Sequence, residues 1–390
     1  EYFSNGVEKL RKYAGGSTIT TFTARSAPTN FAVSVQGTPG TEQYSYQIAT
    51  VTAQGETTPT SIVEVTTGNA TLSATNFNRL TWDKDTNAAV IGYNVYGRRS
   101  TGLGPTLLTF IEQPTAAGTV TFDDNSATVY VPSTIWIPQE YNTTGGVDGE
   151  IITHYRGTLF IGRNLTQRHR MFYSGTSVNY ENFSPSNNGG WVDIRRGDGD
   201  ELRAIVGFEA YVVIFKDHSI HKFLFSSSGD PSLSELILGY GTMSPDSVII
   251  VDNDIFYLGS DKKLRVAGYE PNFLNVIRTS DISNRIENTL SSVTWANLTK
   301  ATAVYFDSKY LLAVPVAQTY NDQVIPYDRR YLSFLGFWDN MYVNCWAIYD
   351  GGTDAKPKLY AGSSKDGKIF EVLQDNLYND DGVAISSLVR

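Results

Sequence analysis

A short hydrophobic strand, a polar turn and a second strand of alternating large apolar residues recur along the C-terminal two-thirds of the chain. The copies read HYRGTLFIG (His154–Gly162), FEAYVVIFK (Phe208–Lys216), VDNDIFYLG (Val251–Gly259), FDSKYLLAVP (Phe306–Pro315) and PKLYAGSSKDGKIFEV (Pro357–Val372). Each predicts one β-hairpin closed by a tight turn. Successive copies start about 40 to 55 residues apart, which suits one four-stranded propeller blade per copy. A unit of that kind cannot bury both faces of its sheet alone, so the copies must stack to make a core.

Composition points the same way. A chain of 390 residues, 13% aromatic with 24 Tyr and 19 Phe, is long enough for two or three domains and favours pleated sheet over helix. The expected fold class is all-β: a β-propeller-like domain with an inserted or appended β-sandwich. Helical turns are expected only over Val7–Tyr13 and Ser280–Leu290, the second capped by Asp281. A net charge of −9 argues against a surface built to neutralise phosphates, though not against DNA that passes without being gripped. The single cysteine, Cys345, lies between Asn344 and Trp346. It can form no internal disulfide and is expected to be a buried small hydrophobe. So sparse a use of cysteine fits a bacterial or viral protein better than a secreted animal one.

No run approaches 18 apolar residues, so no membrane-spanning helix is predicted. The chain starts at Glu1 without Met and stops at Arg390 inside the strand-like run VAISSLVR, and both ends read as cut from a longer polypeptide. Four regions are expected. Residues 1–27 hold N-terminal strands that could close the propeller, 28–125 a Thr-rich sandwich, 126–149 a linker with Pro132, Pro138 and the turn TTGGVDG, and 150–390 the blades.

Several clusters could carry chemistry. RRGDGDE contains Arg195, Arg196, Asp198, Asp200 and Glu201, and alternating Asp and Gly on a turn could hold a hard cation. It lacks the long ligand series of a calcium loop, so an ion-paired surface loop is the simpler reading. With Asp252, these carboxylates are also the candidates for a glycosidase pair, which must flank one bond. His218 and His221, three apart on an expected strand, would point to opposite faces and make a poor metal site. SKDGKIF (Ser364–Phe370) departs from the sialidase Asp-box, and Asp366-Gly367 reads as a type I′ hairpin turn. The aromatic run YLSFLGFWDNMYVNCW (Tyr331–Trp346) reads as blade core; exposed, Trp338 and Tyr342 would stack sugars or a neighbouring subunit. No residue is assigned a catalytic, cofactor-binding or metal-binding role, and no cofactor is expected.

Two resemblances add to this. LTW at Leu80–Trp82, GYNVY at Gly92–Tyr96 and the tyrosine strand leading to Gly55-Glu56 resemble the fibronectin type III family, in a permuted order. RNLTQRHRMFYSGTSVNYENFSPSN (Arg163–Asn187), followed by WVDIRRGDGDELRAIVGFEAYVVIFKDHSIHKF, is similar to the propeller of bacteriophage tail hub and nozzle proteins of podophages. That resemblance covers about Glu150 to Arg390. It implies a non-enzymatic virion protein located in the phage tail. Copies of the chain would form a ring through which duplex DNA is ejected, in contact with an adaptor and with fibres. The alternative is a secreted carbohydrate-binding or glycoside-hydrolysing propeller with an accessory fibronectin-like module. Blade number, ring stoichiometry and host are not legible in the sequence.

Overall fold

In the computed structural model, the described residues are 1–99, 104–125, 137–225, 231–269, 277–350, 356–374, 379–380 and 383–384. Half of the expected linker, residues 126–136 with Pro132, lies outside them, as do most of YNDDG and the terminal run after Ala384. The fold is all-β, made of antiparallel sheets. Helix among the described residues is confined to Glu287–Ser292, Trp295–Leu298 and three 3-10 turns. The chain divides into two compact units, one of residues 1–207 with 225–230, the other of residues 208–224 with 231–390.

The first unit begins with a small sheet of Tyr2–Phe3, Arg11–Tyr13 and Ile19–Thr21. The helical turn expected over Val7–Tyr13 is therefore corrected: residues 7–10 are non-helical and Arg11–Tyr13 is a strand. The cause is tertiary: Lys12 pairs with Tyr2 on one side and Thr20 on the other, and Leu10, 1% exposed, is drawn into a core with Val147, Leu159, Ile161, Phe172 and Phe183. Backbone bonds from Gly6 to Gly149 and from Leu10 to Val147 fix this segment along residues 147–149. Contacts within reach in three dimensions outweigh the weak helix propensity of so short a run.

A sandwich follows. One sheet runs Thr106–Glu112, Val90–Arg99, Glu42–Thr52 and Gly55–Glu56, with Val63–Gly68 also on Glu42–Thr52; the other runs Thr119–Asp124, Phe77–Asp83 and Ala32–Gln36. Alternation decides the inward faces. Tyr44, Tyr46, Ile48, Tyr93 and Val95 of the first sheet meet Leu80, Trp82 and Val120 of the second in one core. Trp82 and Tyr93 pack edge to face with centroids 5.4 Å apart. Tyr46 is wholly buried, yet its hydroxyl donates to Asp124 Oδ2 (2.7 Å) and accepts from Asn78 Nδ2 (2.8 Å).

The first unit continues into a four-stranded meander, here the first sheet, of Ile151–Tyr155, Thr158–Gly162, Arg170–Tyr173 and Gly190–Asp193, then the strand Leu202–Phe208. Its opening turn, Arg156-Gly157, has both residues at positive φ, the geometry of a two-residue hairpin loop that follows the twist of its strands.

In the second unit, Tyr211–Lys216, Ser219–Phe225 and Pro231–Leu238 lie side by side. A second meander runs Ile249–Val251, Asp254–Leu258, Leu264–Tyr269 and Ile277–Asp281. A third runs Thr302–Phe306, Lys309–Val314 and Gln323–Asp328, edged by Ser333–Phe334 and Trp338–Asp339. The last sheet is Val343–Tyr349, Lys358–Ser363 and Ile369–Val372. Consecutive sheets share cores. Phe256, Leu258 and Leu264 of the second meander pack with Tyr310, Leu312 and Ile325 of the third, closed by Leu290, Val293 and Leu298 of the helical segment. Leu311, Ala313 and Val324 pack on the other side with Val343, Leu359 and Ala361 of the last sheet. Fully burying one such leucine or phenylalanine is worth about 1.5 to 3 kcal/mol.

Asp281 does not cap the helix, whose N-cap is Ile286. Instead its Oδ1 accepts from Ser283 N (2.8 Å) and Ser283 Oγ (2.5 Å), while Lys263 Nζ lies 2.8 Å from Oδ2. Burial alone would raise this carboxyl; those donors instead hold it at about 2. Asp366-Gly367 also needs correction. Ser363 N donates to Lys368 O, enclosing residues 364–367, and Gly367 is at positive φ whereas Asp366 is not, so this is a four-residue loop and no type I′ turn.

Candidate functional site

The acidic turn is where the sequence offered most chemistry, and its main carboxylate is engaged by arginine. Glu201 Oε2 lies 3.0 Å from Arg163 Nη2, 3.0 Å from Arg168 Nη1 and 3.5 Å from Arg203 Nη2. Burial works to raise this carboxyl, and the surrounding guanidiniums hold it below the usual carboxylate range. Asp198 Oδ1 accepts from the backbone N of Asp200 (3.1 Å), closing the turn on itself. Among the described residues, no group of three His, Cys, Asp or Glu side chains could hold a metal ion. Asp252 belongs to the other unit, where it accepts from Tyr305 Oη (3.0 Å) and lies 3.5 Å from Arg329 Nε.

His218 is exposed, and His221 is buried with Nε2 2.9 Å from Ser219 Oγ. Trp338 is half-buried against the core between the third and last sheets. Tyr342 is held between Tyr320, 5.6 Å away, and Lys365, 4.4 Å from its ring. The remainder of that aromatic run is less buried than its sequence suggested: Tyr331, Leu332, Leu335 and Phe337 are exposed. Cys345 is exposed as well. It pairs with Gly362 on the face of the last sheet opposite the shared core, so its apolar neighbours in sequence did not report its burial.

A second polar constellation lies elsewhere in the first unit, at residues the sequence did not single out. Glu181, in the loop between the last two strands of the first sheet, gathers three segments. Tyr2 Oη donates to Glu181 Oε1 (2.6 Å), Lys12 Nζ pairs with the same oxygen, and Gln54 Nε2 reaches Oε2 at 3.4 Å. Burial would raise the Glu181 carboxyl, but Lys12 and Tyr2 hold it below its ordinary range. Two residues on, Phe183 N donates to Gln54 O at 3.0 Å. The tip of the sandwich hairpin, Ala53-Gln54, is thereby fastened through Gln54 to the first sheet's loop and the N-terminal strands.

Beside it sits Glu56, wholly buried. Its two carboxyl oxygens lie 2.9 and 2.8 Å from Tyr96 Oη, and Oε2 also accepts from Asn94 Nδ2, which is 3.1 Å from Ser186 Oγ in the first sheet's loop. Its main chain is held by Thr143, whose N donates to Glu56 O at 3.0 Å, and by Gln139 Nε2. Burial pushes the Glu56 carboxyl up to about 7, against the opposing effect of the bonds from Asn94 and Tyr96.

A third feature is Arg170, 1% exposed, which forks onto Asp193 at 2.6 and 2.8 Å between the rings of Trp191 (3.7 Å) and Tyr141 (4.4 Å). All three features connect segments distant in sequence. Their hydrogen bonds are spent on holding backbone and side chains, so the arrangement serves as a joint. The only sequence signals were a turn expected at Gly55-Glu56, which the structure moves to Ala53-Gln54 with Gly55-Glu56 in the following strand, the NYENF phrase that holds Glu181, and the RHR run that holds Arg170.

No family model matches this chain, and no curated protein matches it. Among solved structures, it is similar to a protein from Lactobacillus plantarum at 11% identity, covering 85% of this chain and 81% of that one, with a TM-score of 0.34.

Proposed function

We propose that this chain is a structural protein of a bacteriophage tail, of the podophage hub and nozzle kind. Copies of it would form a ring or tube that conducts duplex DNA at ejection and presents a platform for fibres. The reading rests on the phrase order from Arg163 to Phe223. Its support from the fold is that three acidic residues within this stretch hold structure: Glu181 binds Lys12 and Tyr2, Asp193 binds Arg170, and Glu201 faces three arginines. A wall element needs rigidity of this sort, whereas a hydrolase needs carboxylates aimed at a shared substrate position. The net charge of −9 suits a lumen that does not retain phosphate.

Electron microscopy of the purified protein, alone and in virions, tests this. Closed rings or tubes with a lumen that passes duplex DNA are the expected result. A protein that stays monomeric and never enters particles, or one that cleaves glycosides, would overturn it.

A further inference from the structure

We propose that Glu56 is a protonation-controlled pin between the sandwich and the first sheet: neutral, it closes the joint; ionised, it admits water and frees the sandwich hairpin from the loop beneath it. Three elements besides its own hairpin hold this residue. The strand Val90–Arg99 supplies Asn94 and Tyr96 to the carboxyl, the segment after residue 137 supplies Gln139 and Thr143 to the main chain of Glu56, and the first sheet's loop supplies Ser186 to Asn94. Of these facing groups only Tyr96 is titratable, and burial together with Glu56 itself drives its hydroxyl further from ionisation. Gln139, Thr143, Asn94 and Ser186 are neutral. Among the described residues no lysine, arginine or histidine pairs with Glu56. The nearby charges are used elsewhere: Glu181 by Lys12, and Arg25, which precedes the sandwich, by Asp85 at 2.7 Å.

A carboxylate enclosed in this way has hydrogen-bond donors but no counter-charge, and a buried charge without one either takes up a proton or forces local opening. Protonation leaves the donors satisfied and the site closed. The elevated carboxyl places the choice near neutral pH. Glu181 does not respond in the same range, because Lys12 and Tyr2 keep it ionised well below neutrality. The bonds that would be released are few and polar: the Asn94–Ser186 contact at 3.1 Å, Phe183 N to Gln54 O at 3.0 Å and Gln54 to Glu181 at 3.4 Å. One unpaired charge can therefore govern this joint without unfolding either sheet.

Amide hydrogen exchange on the full chain, compared at about pH 5.5 and about pH 8.5 and corrected for the intrinsic rate, reads this directly. Peptides covering residues 50–58 and 180–189 should lose protection by about tenfold or more at the higher pH, and Glu56→Gln should keep it at both. Protection in the wild type that does not change with pH, or an equal loss in Glu56→Gln, would overturn the assignment. Should the variant fail to fold, carbon-13 titration of the glutamate carboxyls in the wild type decides. One carboxyl with a midpoint between about pH 6 and 8 supports the pin, and a full set titrating in the ordinary range near 4.3 overturns it.

Discussion

Glu56 and Arg170 are each buried, each ionisable, and each solved differently by the fold. Glu56 has an ordinary value of 4.5 and sits at about 7 when folded. Below the ordinary value both states hold the proton, and the stability linked to this group is fully present. As pH rises from 4.5 towards 7 the unfolded chain releases a proton that the folded one keeps, so stability falls by about 1.4 kcal/mol per unit, up to about 3 kcal/mol, and levels off above the folded value. Urea unfolding should therefore show Glu56→Gln gaining on the wild type as pH rises from about 4.5 to 8, by up to about 3 kcal/mol. Taking the difference between variants removes the opposite slopes of low-titrating groups such as Asp281. Arg170 needs its planar fork. Arg170→Lys keeps the charge but loses the paired bonds to Asp193 and the stacking on Trp191, and should cost about 2 kcal/mol or more. Tyr46→Phe removes one hydroxyl that serves Asp124 and Asn78 in the sandwich core; the expected loss in the same measurement is about 1 to 3 kcal/mol.

Among the elements, turn chemistry was legible where it is local. Arg156-Gly157 and Asp307-Ser308 close hairpins with both residues at positive φ, and both lie where the repeated phrase places a polar turn. At Ser364–Gly367 the dipeptide Asp-Gly suggested a two-residue loop, but pairing of Gly362 with Ile369 sets a longer one. Sheet register there is chosen by side-chain faces, which a dipeptide does not encode. Two glycines separate the ways an element can resist substitution. A Cβ at Gly189 would lie 2.5 Å from Asn182 O and 2.8 Å from Phe183 backbone, so Gly189→Ala must displace the loop that holds Glu181 and should cost about 1 to 3 kcal/mol. Gly367 faces open space at φ +69°, so Gly367→Ala meets only backbone strain and should cost about 1 kcal/mol. Thermal unfolding of the two variants side by side checks the order; a larger loss at Gly367 would contradict it.

For the whole molecule, the acidic balance makes a prediction that does not depend on any one contact. At near-physiological salt the chain should fail to retard duplex DNA in a gel-shift assay, because few counterions would be released on binding; retention there would point to a basic surface that the net charge of −9 conceals. Aromatic and β-branched content with period-two alternation determined the all-β class, and the recurring phrase determined where hairpins fall, since both depend on neighbours along the chain. In the sandwich, the period-two alternation along Tyr44, Tyr46 and Ile48 is written in the sequence, and these residues share the core. The tertiary structure alone decided that residues 11–13 become a strand, that Cys345 faces outward, and that Glu56, Glu181 and Arg170 become a joint. The strand at 11–13 and the joint depend on partners far away in sequence: Val147 for Leu10, Lys12 for Glu181, Ser186 for Asn94. A carboxylate's burial and its counter-charge are set by which segments fold over it, and that information is absent from the residues on either side of it.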